Sequence, residues 1–205
     1  TLTDNKGNII DLSIKEYLKN KNKIYYGFRS ILDFKNKYFD NDQIDEYVNL
    51  LCNNITNEEI IDHIDNDYLY NSIEIRNIFL SKLILKLKNY KVINGNIVFY
   101  VPIYHVKFID DILFICYSLL LNPTTERDNL FVEITLNTCT NSFFLYLDKV
   151  LDEDSLDILE DDNISLYNIK VIKDKSESNY YGLELDNNSR FLLWDSTVVN
   201  NTYKN

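Results

Sequence analysis

The amino-acid sequence predicts an α+β fold: a helical N-terminal half packed on a mainly antiparallel β C-terminal half, in a single domain spanning residues 1–205. Three observations carry this prediction. Apolar residues recur at helical spacing through about residues 13–88. Alternating runs rich in β-branched and aromatic residues dominate about 90–199. The pair Asn94-Gly95, the strongest short hairpin signal, stands where the first pattern gives way to the second.

The opening TLTDNKGNIIDL reads as a small hairpin turning at Asp4-Asn5-Lys6-Gly7. Ser13-Ile14-Lys15-Glu16 has the form of a capping box, worth about 1 kcal/mol, and opens a short helix to about Asn22. Phe28, Ile31 and Leu32 predict a second helix from about Tyr26 to Tyr38. Ile44, Tyr47, Val48 and Leu51 form a third helical stripe. Thr56-Asn57-Glu58-Glu59 reads as another capping box, opening a helix through Ile60, Ile61 and Ile64. Ser72 to Lys88 is apolar over a wide face, which predicts a central, buried helix.

Beyond it, Tyr90 to Ile93 and Asn96 to Phe108 read as strands, with Pro102 requiring an edge or a bulge. Asp110 to Leu121 suits a helix capped by Asp110 or Asp111 and ending before Pro123, although a buried strand fits the same run. Leu130 to Leu136 and Phe143 to Val150 read as paired strands around Thr138-Cys139-Thr140-Asn141. Ile164 to Ile172 alternates as a further strand. Tyr180 to Leu185 and Phe191 to Asp195 predict a last hairpin at Asn187-Asn188, followed by a frayed tail from Asn200 to Asn205.

With 205 residues, the chain can bury roughly 70% of its unfolded surface and needs no staples to fold. The sequence holds no Ala and only six Gly and Pro, while Asn, Ile, Lys and Tyr are abundant. The depleted residues use GC-rich codons and the abundant ones AT-rich codons, so a very AT-rich genome is expected, of viral, phage or bacterial type. No basic start followed by an apolar core is visible, so no signal peptide is expected in the sequence shown. The longest apolar run, Ile112 to Leu121, is too short to span a bilayer, and no membrane contact is expected. Cys52, Cys116 and Cys139 are odd in number and lack CxxC spacing, which suits reduced thiols in the cytoplasm or a host-cell cytoplasm. Asn-x-Ser/Thr sequons at Asn54, Asn163, Asn187 and Asn200 are expected by chance in so Asn-rich a chain.

Net charge is −11, and it is uneven. Residues 1–50 balance eight bases against eight acids, whereas residues 151–205 carry five bases and twelve acids. Such acidity disfavours nucleic acid. The stretch DEDSLDILEDD supplies Asp152, Glu153, Asp154, Asp157, Glu160, Asp161 and Asp162 without a base. It fails as a calcium loop, because Leu156 breaks the alternation and the obligatory Gly is missing. It suits a short helix capped by Asp154 and either solvated or docked on a basic partner; these seven acids are the candidate partner-binding residues.

Lysines and aromatics interleave from Lys15 to Lys37, as in single-strand binders, but Lys outnumbers Arg and the bidentate phosphate grip is weak. The order His105, Asp110, Cys139 matches some cysteine proteases; the Trp that often follows such a His is replaced by Val106. Scattered Cys and His predict no metal, and the missing glycine-rich phosphate loops predict no nucleotide cofactor.

These features point to binding rather than catalysis. They suit a non-enzymatic accessory protein of the inhibitor, immunity or host-interaction type, whose partner is another protein with a basic surface. A structural virion or assembly component is one alternative. An enzyme is another, with His105 and Cys139 as a candidate cysteine-hydrolase pair.

Overall fold

A computed structural model describes residues 2–4, 8–12, 14–19, 25–87, 89–137, 143, 164–168, 190–193, 195 and 197–200. They fall into two compact units, Thr1–Ser30 with Asn163–Asn205, and Ile31–Asp162. Helices lie mainly in the N-terminal half and a four-stranded antiparallel sheet in the C-terminal half, the α+β arrangement that periodicity and turn chemistry predict.

In the first unit, β1 (Leu2–Asp4) and β2 (Ile9–Ile10) form the expected opening hairpin, with Leu2 opposite Ile10. The short helix α1 (Ile14–Lys19) follows; its cap residue Ser13 lies outside the described residues. The predicted helix from Tyr26 to Tyr38 does not form. Tyr25–Ser30 is strand β3, and residues 31–40 have no regular structure. β3 lies between β1 and β8 (Ile164–Asn168), pairing antiparallel with both. Three apolar residues at helical spacing are a weak local preference, and pairing on both edges outweighs it.

β9 (Arg190–Leu192) pairs with β10 (Val198–Asn200), a hairpin the sequence did not predict, and Asn200 belongs to a strand rather than a frayed tail. Its turn is set at Asp195, whose Oδ1 accepts the Thr197 amide while the Thr197 carbonyl accepts the Leu193 amide. The expected partner strand, Tyr180 to Leu185, lies outside the described residues.

In the second unit, α2 (Asn41–Thr56) buries Ile44, Val48 and Leu51, as its stripe requires. Asp40 and Gln43 form its capping box. Its end explains the misread second box at Thr56. Asn57 is the C-cap, Glu58 takes φ 59°, and the Glu59 and Glu58 amides reach the carbonyls of Asn54 and Ile55. This is a Schellman motif closing α2 where a helix start is predicted. Residues 59–65 then run without regular structure to the short helix α3 (Asn66–Leu69), capped by Asp65.

Helix α4 (Ile73–Leu87) is buried nearly all round, as its apolar girth predicts. The hairpin of β4 (Tyr90–Ile93) and β5 (Asn96–Pro102) turns at Asn94 and Gly95, both at positive φ, the type I′ geometry that Asn-Gly favours. β5 ends at Pro102, shorter than predicted, opposite Phe131 of β7 (Phe131–Leu136). The chain turns away there, since the Ile103 amide donates to Leu130 and the His105 amide to Pro102. Helix α5 (Val106–Ser118) therefore starts before Asp110, and neither Asp110 nor Asp111 caps it.

α5 closes in a second Schellman motif, with Leu120 at φ 60°. The unpredicted edge strand β6 (Pro123–Arg127) completes the sheet in the order β4-β5-β7-β6. Val132, Ile134 and Leu136 alternate into the core beside Ile97, Phe99 and Val101. Of the strand expected from Phe143 to Val150, only Phe143 is described; it is helical and fully buried.

Candidate functional site

The acidic run from Asp152 to Asp162, with the candidate residues Asp152, Glu153, Asp154, Asp157, Glu160, Asp161 and Asp162, lies outside the described residues, as does Cys139. His105 is fully buried at the start of α5. Its Nδ1 accepts the Ile61 amide at 3.2 Å, and its ring lies 4.3 Å from that of Tyr104 and edge-on to Phe108. A nitrogen that accepts carries no proton, which assigns the proton of the neutral ring to Nε2. Nε2 is buried without a partner among the described residues. Burial pushes the His105 pKa below the ordinary imidazole value. Asp110, by contrast, is exposed. His105 thus holds the chain from 59 to 65 against the head of α5.

The second histidine meets a carboxylate. His63 Nδ1 lies 3.1 Å from Asp111 Oδ2, and that oxygen also accepts the Ile64 amide at 2.7 Å. Asp111, in the second turn of α5, is about nine-tenths buried, whereas the His63 side chain is 60% exposed. Both line an open groove of about 720 Å³ whose other walls include Tyr47, Asp65, Asn66 and Tyr70. Tyr47 Oη accepts the Asp65 amide at 2.8 Å, and burial raises the Tyr47 pKa.

A second groove, of about 780 Å³, shares Tyr47 and is lined by residues of α2. Its aromatic side is a stack in which Tyr68 lies between Phe39 at 4.3 Å and Tyr47 at 4.4 Å. Asp42 and Glu46 line it, together with Asp45, which is paired with Lys82 and Lys86.

Four exposed apolar side chains lie on the segments that meet at His105. Ile60 is 72% exposed, Leu130 68%, Val106 54% and Tyr104 44%. Hydrogen bonds hold their neighbours together: Ile61 to His105, His105 to Pro102, and Ile103 to Leu130. Exposed Glu58, Glu59, Asp62, Asp110 and Asp128 belong to the same segments, and Lys107 pairs with Asp62 at 3.3 Å. Sequence reasoning missed this surface, since its members come from three segments far apart in the chain.

Among the described residues no three His, Cys, Asp or Glu side chains gather as metal ligands. No helix among them is long and apolar enough to cross a membrane. No protein-family model matches the chain, and no match to a curated protein was found.

Proposed function

We propose that the protein is a non-enzymatic accessory protein that binds another protein in the cytoplasm or a host-cell cytoplasm, as an inhibitor, immunity or host-interaction factor. The supporting observation is the exposed set Ile60, Tyr104, Val106 and Leu130, with the exposed acids Glu58, Glu59, Asp62, Asp110 and Asp128 on the same segments. An apolar centre with a polar rim is the usual anatomy of a protein interface. The rim's negative charge favours a partner with a basic surface and speeds the encounter. The acidic run Asp152 to Asp162 is a further candidate for the same partner. The alternative of an enzyme draws on His63, an exposed imidazole oriented by Asp111 in an open groove.

Affinity purification from the native host or infected cell, repeated with Ile60→Asp and Val106→Asp, tests the proposal. Both residues are exposed, so folding is expected to survive. A partner retained by the wild type, lost by both variants and released by salt supports it. Recovery that both variants leave intact moves the interface elsewhere. No partner, together with turnover of a small molecule that depends on His63, favours the enzyme.

A further inference from the structure

We propose that the groove between Tyr47, His63, Asp65, Tyr70 and Asp111 is a binding site for an alkylguanidinium group. This rests on residues other than the exposed apolar set and stands apart from the docking proposal.

The first argument is an imbalance of charge. Asp62 is paired with Lys107, and Asp45 with Lys82 and Lys86. Asp111, the more buried acid, has no Lys or Arg partner among the described residues. Its Oδ2 is occupied by the Ile64 amide and His63 Nδ1, while Oδ1 has no hydrogen-bond partner among the described residues. A carboxylate largely withdrawn from water gains most from a cation that also donates hydrogen bonds.

The second argument is the shape of the donor set. Asp65 is held in place at both ends: its Oδ1 accepts the Asp67 amide as the cap of α3, and its own amide donates to Tyr47. Two tyrosine rings complete the walls, and Tyr70 is anchored edge-on against Phe34 and Phe114. Two carboxylates and two tyrosines lining one groove suit a planar cation that donates through its edge and packs against aromatic rings. A guanidinium does both, whereas an ammonium is a strongly hydrated point charge.

The test uses the full chain and follows the His63 imidazole resonances by NMR. The probes are agmatine, a blocked Gly-Arg-Gly peptide and its Gly-Lys-Gly counterpart, at constant ionic strength. Saturable shifts are expected from the guanidinium compounds, with the lysine peptide at least several-fold weaker. A stronger response to the peptide identifies an arginine of a partner protein, and a stronger response to agmatine a free guanidinium compound. Asp111→Asn keeps an acceptor for the Ile64 amide, and Asp65→Asn keeps a competent helix cap. Each is expected to weaken binding roughly tenfold or more, the loss of one charge-assisted contact. Should Asp111→Asn fail to fold, Asp65→Asn decides. No saturable shift at millimolar probe, equal shifts from the arginine and lysine peptides, or unchanged binding in Asp65→Asn overturns the proposal.

Discussion

The imidazole of His105 accepts the backbone amide of Ile61, 44 residues earlier in the chain, and does so fully buried. The bond fastens a stretch without regular structure to the head of α5. His105→Leu keeps much of the volume but leaves the buried Ile61 amide without an acceptor. The expected loss of stability is about 1–3 kcal/mol, measured by urea unfolding.

The same contact depends on pH. Burial lowers the His105 pKa from the imidazole value of about 6.5. On acidification the unfolded chain therefore takes up this proton first. The contribution of the neutral ring is complete above about pH 6.5 and is lost as the pH falls from there through the folded-state pKa. Wild-type melting temperature is expected to fall more steeply than that of His105→Leu over that window.

Arg76 is fully buried in α4 and binds no carboxylate directly among the described residues. Its guanidinium donates to the carbonyls of Asn71 and Leu32 and to Ser118 Oγ, and lies over the Phe34 ring at 5.2 Å. Burial pushes its pKa down to about 10, with nearby Asp33 opposing the shift, so it stays charged at neutral pH. Arg76→Leu strands three acceptors at once and is expected to cost about 3 kcal/mol or more in chemical denaturation. Arg76→Lys keeps the charge but cannot span the three acceptors, and is expected to destabilise as well.

Glu58 sits in the left-handed region that closes α2 and is exposed. Glycine adopts that conformation without the Cβ penalty. Glu58→Gly is expected to stabilise the fold by about 0.5–1 kcal/mol, seen as a raised melting temperature. An unchanged or lower value would show that the glutamate side chain offsets its own backbone strain.

Legibility tracked the distance over which each feature is decided. The stripe Ile44, Val48 and Leu51 marks α2 because 3.6-residue periodicity is written into neighbouring residues. Asn94-Gly95 marks the hairpin because both positions demand positive φ. Thr56 to Glu59 misled because the same polar residues suit a helix start and a helix end. The Schellman bonds that decide between them are visible only once α2 is built.

The sequence alone determined the α+β class, helices α2 and α4 and the β4–β5 hairpin, through local periodicity and turn chemistry. Tertiary structure alone decided that Tyr25–Ser30 is a strand, since its partners in β8 lie more than 130 residues away. It also decided that His105 holds Ile61 and that Asp111 meets His63 and Ile64 rather than capping α5. The physical reason is common to all three. A buried donor or acceptor takes whichever partner the packed chain brings within reach, and that partner is specified by the whole fold rather than by neighbouring residues.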